Sequence, residues 1–313
     1  MSPVVGPVGE GSDLDPESAK CRAPPIRLAP VPPDTYLSGI LAAHRARAGA
    51  DRRDLGDLVA QAQACPTTRP FARSLAIATG GELAVIAEVK RRSPSKGPLD
   101  TGLDPAALAQ DYEAGGATCV SVLTDEAFFS GSRTDLAAAR SACGLPVLRK
   151  DFTVSAADVC DARLMGADAV LLIVAALSDR DLSEFLSLAR ELTLDALVEV
   201  HDEAELERAL DVGAELVGVN QRDLATFSVD QGRALRMVRA IPPEVVAVAE
   251  SGIRDGSDAA VLADAGYQAV LVGESLICAP DRRAALGALT GHRVGERART
   301  SEVETRGAAA GER

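Results

Sequence analysis

Five ionisable residues, Glu88, Lys90, Lys150, Glu199 and Glu250, stand at or just past the ends of short apolar runs. Such runs form the interior of a domain, and a charge left there unpaired is heavily penalised. Glu88 and Lys90 are two residues apart, so on an extended chain their side chains share a face. Brought together, the three carboxylates and two ammonium groups would neutralise one another. A lysine partly desolvated beside carboxylates can donate a proton or grip an anion. The plainer alternative is an ion-pair network that only closes one end of the fold.

Two glycine-bearing stretches, Ser251-Gly252 and Gly273-Glu274-Ser275, follow two further apolar runs. Glycine lets backbone approach a ligand closely, and free N–H groups opening a helix attract phosphate. A side chain placed at Gly252 or Gly273 is then expected to occupy the phosphate's place, although turn geometry alone could account for either glycine. Ser93 and Lys96 stand in the segment after the first apolar run and could add contacts.

Other chemistry is thinly represented. His44, His201 and His292 are scattered, and His201, two residues past Glu199, reads as structural. No group of His, Cys, Asp or Glu has metal-ligand spacing, and no Ser-His-Asp arrangement is visible, so neither metal nor cofactor is expected. The six cysteines, Cys21, Cys65, Cys119, Cys143, Cys160 and Cys278, form no C-x-x-C pair and no disulfide framework.

Eight apolar runs could position the charged residues, at 83–88, 118–123, 146–149, 169–174, 196–200, 216–219, 245–249 and 269–272. An Ala/Leu-rich amphipathic stretch follows each run, 104–114 and 203–212 among them, with 282–289 after the last. The joints Gly116-Ala117, Gly144-Leu145, Gly166-Ala167, Gly213-Ala214 and Gly266-Tyr267 each read as a left-handed helix cap leading into a strand. Eight β-then-α units predict an α/β protein, a (βα)8 TIM barrel. No G-x-G-x-x-G follows the first run, which speaks against an open dinucleotide-binding sheet. An extra N-terminal helix is expected over 36–48, capped by Asp34, with Ile40, Leu41, Ala43 and His44 on one face. Barrel enzymes carry their chemistry at the C-terminal strand ends, where all five charges fall.

Residues 1–33 read as a flexible leader, 34–290 as the barrel and 291–313 as a flexible tail. The 313 residues are 47% hydrophobic but only 3% aromatic, so Ala, Val, Leu and Ile must build the core. A net charge of −13 argues against a nucleic-acid partner. The start, 1–20, lacks the basic and apolar regions of a signal peptide, and the longest apolar run, 169–177, is too short to span a bilayer. A cytoplasmic monomer with no membrane partner is expected.

The stretch Ala87-Glu88-Val89-Lys90-Arg91-Arg92-Ser93-Pro94-Ser95-Lys96-Gly97 resembles the signature of indole-3-glycerol phosphate synthases. The likeness continues through Phe128-Phe129-Ser130-Gly131-Ser132, Leu148-Arg149-Lys150-Asp151-Phe152, Leu197-Val198-Glu199-Val200-His201, Asn220-Gln221-Arg222-Asp223-Leu224, Ala249-Glu250-Ser251-Gly252-Ile253 and Val272-Gly273-Glu274-Ser275-Leu276. It covers about 36–289, and several motifs agree in order. The resemblance implies a cofactor-free lyase acting on a phosphorylated small molecule, 1-(2-carboxyphenylamino)-1-deoxyribulose 5-phosphate. It implies that Lys150 is the general acid on the ribulose carbonyl and that Glu199 transfers protons in the later dehydration. Lys90 would hold the anthranilate carboxylate, and Glu88 and Asn220 would orient the lysines and sugar hydroxyls. Ser93, Ser251, Gly252, Gly273 and Glu274 would line the phosphate, with Arg222 supporting the site and Glu250 among the substrate-binding residues. Gln221, and Ser155-Ala156-Ala157-Asp158 at the third barrel helix, depart from the family pattern. A barrel of the preceding isomerase type would want a Cys/Asp pair on strands 1 and 6, where this chain has Glu88, Lys90 and Asn220. A non-catalytic sugar-phosphate sensor would be expected to lack Lys150 or Glu199.

Overall fold

A computed structural model of the protein describes residues 36–76, 81–93, 96–223 and 226–297. The eight apolar runs become eight parallel strands: β1 Ala84–Val89, β2 Cys119–Leu123, β3 Val147–Lys150, β4 Ala169–Ile173, β5 Asp195–Val200, β6 Leu216–Asn220, β7 Val246–Glu250 and β8 Ala269–Val272. Each boundary lies within one residue of its expected run. Every strand pairs with its chain neighbours, and β8 pairs with β1, Ala84 against Ala269 through Ala87 against Val272, closing the expected TIM barrel.

Local chemistry starts the outer helices. Asp104, Ser132, Ser155, Ser178, Asp202, Asp230, Asp255 and Asp281 each accept a hydrogen bond from a first-turn N–H of the helix that follows. The unusual Ser155-to-Asp158 segment forms a closed cap. Ser155 Oγ accepts from the Asp158 N–H, and its own hydroxyl donates to Asp158 Oδ2 at 2.8 Å. At the other helix ends Gly116, Gly166, Gly213 and Gly266 have φ of 93°, 87°, 78° and 102°. Gly144 does not take the left-handed conformation expected of it. Cys143, extended at φ −137°, ends that helix instead.

Among the described residues three helices rather than one precede β1: α1 Tyr36–Ala50, α2 Leu55–Gln63 and α3 Phe71–Ala76. On α1 the buried stripe is Leu37, Ile40, Leu41 and His44. Ala43, expected on that face, is exposed, because the helical period carries it off the 37-40-41-44 line. Asp34 lies outside the described residues. α3 shuts the N-terminal end of the barrel with fully buried Phe71, and the Ala72 N–H donates to Asp195 at the start of β5, 2.8 Å away.

The expected tail begins too early. Residues 291–297 bind the barrel through backbone: Leu83 N–H to the His292 carbonyl at 2.7 Å, Val294 N–H to Gly81 at 2.8 Å and Gly295 N–H to Ala263 at 2.9 Å. The Arg297 guanidinium donates to the carbonyls of Pro243 and Val245. The leader 1–33 and residues 298–313 lie outside the described residues. No described helix is long and apolar enough to cross a membrane.

Candidate active site

At the C-terminal ends of the strands the barrel opens into a cavity of about 420 Å³. Every residue that the sequence marked as catalytic or substrate-binding lines it: Glu88, Lys90, Ser93, Lys150, Glu199, Asn220, Arg222, Glu250, Ser251, Gly252, Gly273 and Glu274. The floor and one wall are apolar, from Leu123, Leu171, Ile173 and Leu271 with Phe129, Phe152 and Phe227. The sequence did not single out these aromatic residues as site residues.

The charges are paired in two groups. Lys90 Nζ donates to Glu88 Oε1. Lys150, last residue of β3, sits between two carboxylates, 3.3 Å from Glu199 Oε2 and 3.6 Å from Glu250 Oε2. Glu199 and Glu250 are each 1% exposed. Burial by itself would strip the proton from Lys150, but Glu199, Glu250 and Glu88 outweigh it and hold the ammonium well above the ordinary lysine range. The resemblance gave Glu88 the orienting of both lysines, whereas Glu88 pairs with Lys90, and Glu250, expected among the substrate-binding residues, stands beside Lys150. Burial disfavours ionised Glu199, yet Lys150, His201 and the Asn220 side chain reverse that and keep it well below the usual carboxylate range. For Glu250, burial and the charge on Glu199 act together and push its pKa up to about 8, against Lys150. The two glutamates thus share one lysine unequally, Glu199 shifted toward the ionised form and Glu250 toward the protonated one.

Two glycines make room for these carboxyl groups. In β6 a Cβ on Gly218 would collide with Glu250 Oε1, and after β8 a Cβ on Gly273 would lie 2.5 Å from Glu88 Oε1. A side chain at Gly273 therefore strikes Glu88 first, and one at Gly252 would strike Val229 Cγ1 at 2.6 Å, which corrects the expectation that either would simply fill the phosphate's place. Ser251 and Gly252 turn the chain after β7 through left-handed backbone, φ 67° and 75°. Gln221, the departure in the β6 motif, donates to the Ser251 carbonyl at 2.8 Å, and Gln231 donates to that of Gly252 at 3.1 Å. Asn220 is oriented by the Arg222 N–H, which donates to its Oδ1 at 3.0 Å. Across the mouth Lys96 Nζ approaches Glu274 Oε1 to 3.4 Å.

Helix α1 is latched to this rim. His44 Nε2 is 2.8 Å from Asp125 Oδ2, and Arg47 donates to Nδ1 at 2.7 Å, so the ring donates through Nε2. Tyr36 stacks edge-on against Phe128 and Phe227, with centroids 5.8 and 5.3 Å away. Asp151 stands 3.9 Å from His44 Nε2 and is itself bound by Arg149 at 2.8 Å. Among the described residues, His44, Asp125 and Asp151 lie close enough together to suit a cation, a grouping that sequence spacing did not reveal. Their polar atoms already serve protein partners, Phe128 N–H and Phe152 N–H included. His201, read as merely structural, touches Glu199.

A barrel that sets two ammonium groups against three carboxyl groups at its C-terminal rim stands with the (βα)8 enzymes that work by proton transfer. The family model for indole-3-glycerol phosphate synthase matches residues 37–289, and the chain belongs to that family, one of decarboxylating lyases. It is 48% identical over 257 residues to "Indole-3-glycerol phosphate synthase 2" of Streptomyces coelicolor, covering 82% of this chain and 98% of that one. To "Indole-3-glycerol phosphate synthase 1" of the same organism it is 46% identical over 259 residues, covering 82% and 93%. Among solved structures it is similar in fold to thiamine phosphate pyrophosphorylase from Pyrococcus furiosus, with TM-score 0.51 and 18% identity over 66% of this chain and 93% of that one.

Proposed function

We propose that the chain converts 1-(2-carboxyphenylamino)-1-deoxyribulose 5-phosphate into indole-3-glycerol phosphate, closing the indole ring with loss of CO2 and water. The observation that carries this reading is Lys150, held as an ammonium chiefly by Glu199, with Glu250 on its other side, inside a cavity with an aromatic wall. Ring closure joins the anthranilate ring carbon to the ribulose carbonyl carbon, and negative charge develops on the carbonyl oxygen. An ammonium there protonates that oxygen, whereas carboxylates alone would repel it. Loss of CO2 restores the aromatic system, and Glu199, ionised at rest, takes a proton from the carbon beside the nitrogen while the hydroxyl gains a proton supplied from solvent and leaves as water.

Lys90 reaches the cavity beside Glu88 and suits the anthranilate carboxylate, while Phe129, Phe152 and Phe227 suit the anthranilate ring. The turn Ser251-Gly252, with both carbonyls tied back by glutamines, and the start of the short helix after Gly273 suit the phosphate. Ser93 and Glu274 flank that place, Asn220 and Glu250 meet the sugar, and Arg222 holds Asn220. The chemistry needs proton transfers alone, so the enzyme is expected to act without metal or organic cofactor, as a monomer in a reducing cytoplasm, free of nucleic acid and membrane.

The test mixes purified protein with the anthranilate-ribulose phosphate and follows indole absorbance together with CO2 release, with and without a chelator. Stoichiometric appearance of both, unaffected by chelation, is expected. Absence of indole product from a folded protein overturns the reading.

A further inference from the structure

Glu199 turns its two oxygens toward different cations. Oε2 faces Lys150 Nζ at 3.3 Å, and Oε1 faces His201 Nε2 at 3.4 Å. His201 does not line the cavity; its ring lies behind Glu199, with the side chain 11% exposed. The ring is fixed from the far side. Glu205 Oε2 stands 3.0 Å from His201 Nδ1 and accepts the His201 backbone N–H at 2.8 Å. Glu205 is itself fixed in the first turn of helix Glu203–Asp211, where its N–H donates to the capping Asp202 at 2.8 Å.

A neutral imidazole has one N–H and one lone pair. With Nδ1–H given to Glu205, a neutral ring would point the Nε2 lone pair at a buried carboxylate oxygen. Given instead to Glu199, the proton would leave the Nδ1 lone pair against Glu205. Only the imidazolium presents an N–H to both. Nε2 is buried and makes no hydrogen bond within ordinary geometry, so Glu199, at ion-pair distance, is the partner left to it. The charged groups facing the ring are Glu199 from β5 and Glu205 from the helix, and they outweigh burial, pushing the ring's pKa up to about 10.

We infer that His201 is a positioning residue, an imidazolium clamped between Glu205 and Glu199 that aims Glu199 at the cavity and keeps it a carboxylate. The inference rests on the reading of Glu199 as the group that moves protons in this reaction. His201 touches no substrate atom. It acts by opposing the burial that would otherwise protonate Glu199, and by holding one oxygen back so that the other stays beside Lys150.

The test has two arms. In the first, the ring nitrogens of His201 in the whole protein are titrated by NMR, in wild type and in Glu199→Gln. The wild-type ring should be doubly protonated at pH 7.5, and its titration midpoint should fall by at least about one unit in the variant. A neutral wild-type ring, or a midpoint indifferent to Glu199→Gln, overturns the inference whether or not the protein makes indole. In the second arm, His201→Gln keeps the size and loses the charge. It should lower kcat roughly 10-fold, the range of a charge-assisted hydrogen bond, with KM changed by less than about twofold. The acidic limb of the kcat profile should move to higher pH, because Glu199 without its cation is more easily protonated. Wild-type kcat and limb with only a lower Tm would show that His201 merely packs the loop. A wild type that binds no substrate would defeat the proposed reaction instead, and the NMR arm would still decide the histidine.

Discussion

Lys90 and Lys150 share a cavity but not an environment. Among the described residues Lys90 has a single anionic partner, Glu88, whereas Lys150 has carboxyls on two sides. Lys150→Met keeps the length and loses the donor, so kcat should fall about 10²–10⁴-fold, the range for a positioned acid, with a smaller change in KM. If Lys90 grips the ground-state carboxylate as proposed, Lys90→Met should raise KM more than it lowers kcat. Steady-state indole formation by both variants distinguishes them, and near-wild-type kcat in Lys150→Met would hand the acid role to Lys90. Glu250 gives a prediction in pH. Its pKa is raised to about 8 by burial and by Glu199, so its contribution to stability is full below the unfolded value and is lost as pH rises through about 8. Glu250→Gln cannot ionise and does not suffer that loss. The Tm of Glu250→Gln minus that of wild type should therefore grow between pH 5.5 and pH 9, by roughly 2–4 °C for each kcal/mol gained. A difference that stays flat or shrinks would mean that Glu250 is ionised at rest.

Among the elements, α1 is held to the barrel rim by one buried side-chain link of long reach. His44→Ala leaves Asp125, 3% exposed, without its partner, and should cost about 1–3 kcal/mol, read by denaturant unfolding. It should also raise KM, since Tyr36 at the start of that helix packs on Phe227 of the cavity wall. Unchanged stability would show that the His44 link adds nothing to the apolar stripe and to the bond from Arg45 to the Ala176 carbonyl. The strands were legible to within a residue because a parallel strand buried on both faces must be a continuous apolar run, and nothing else in the chain looks like one. The five charges were legible because each ends such a run. The link from His44 to Asp125, 81 residues apart, left no trace in local pattern. Nor did the pairing of Glu250 rather than Glu88 with Lys150, since alternation says which side a residue faces but not which neighbour it meets around the ring. α2 and α3 were missed because their nine and six residues are too short to show a convincing period.

Over the whole molecule the two barrel ends divide the labour, chemistry at one and closure at the other. Residues 292–295 hydrogen-bond to the start of β1 and to the helix before β8, so a chain stopped after Thr290 should lose several degrees of Tm relative to one stopped after Arg297. Equal melting of the two truncations would show that the segment adds nothing. Composition marked 291–297 as tail because it is polar; backbone hydrogen bonds hold it, and those carry no compositional mark. The glycine in β6 has a similar invisibility with a wider consequence. Gly218 lies inside a strand, contributes no side chain and touches no reactant, so a survey of functional groups would pass over it. Yet even alanine there must dislodge the Glu250 carboxyl, and through it the balance of charge around Lys150. In a saturation mutagenesis screen scored for tryptophan-independent growth, position 218 should prove as unforgiving as the ionisable residues. The pattern of damage would resemble that of Glu250 variants rather than that of a loosened core. Part of the catalytic plan is thus written as reserved space, and whoever redesigns this pocket must preserve the emptiness along with the charges.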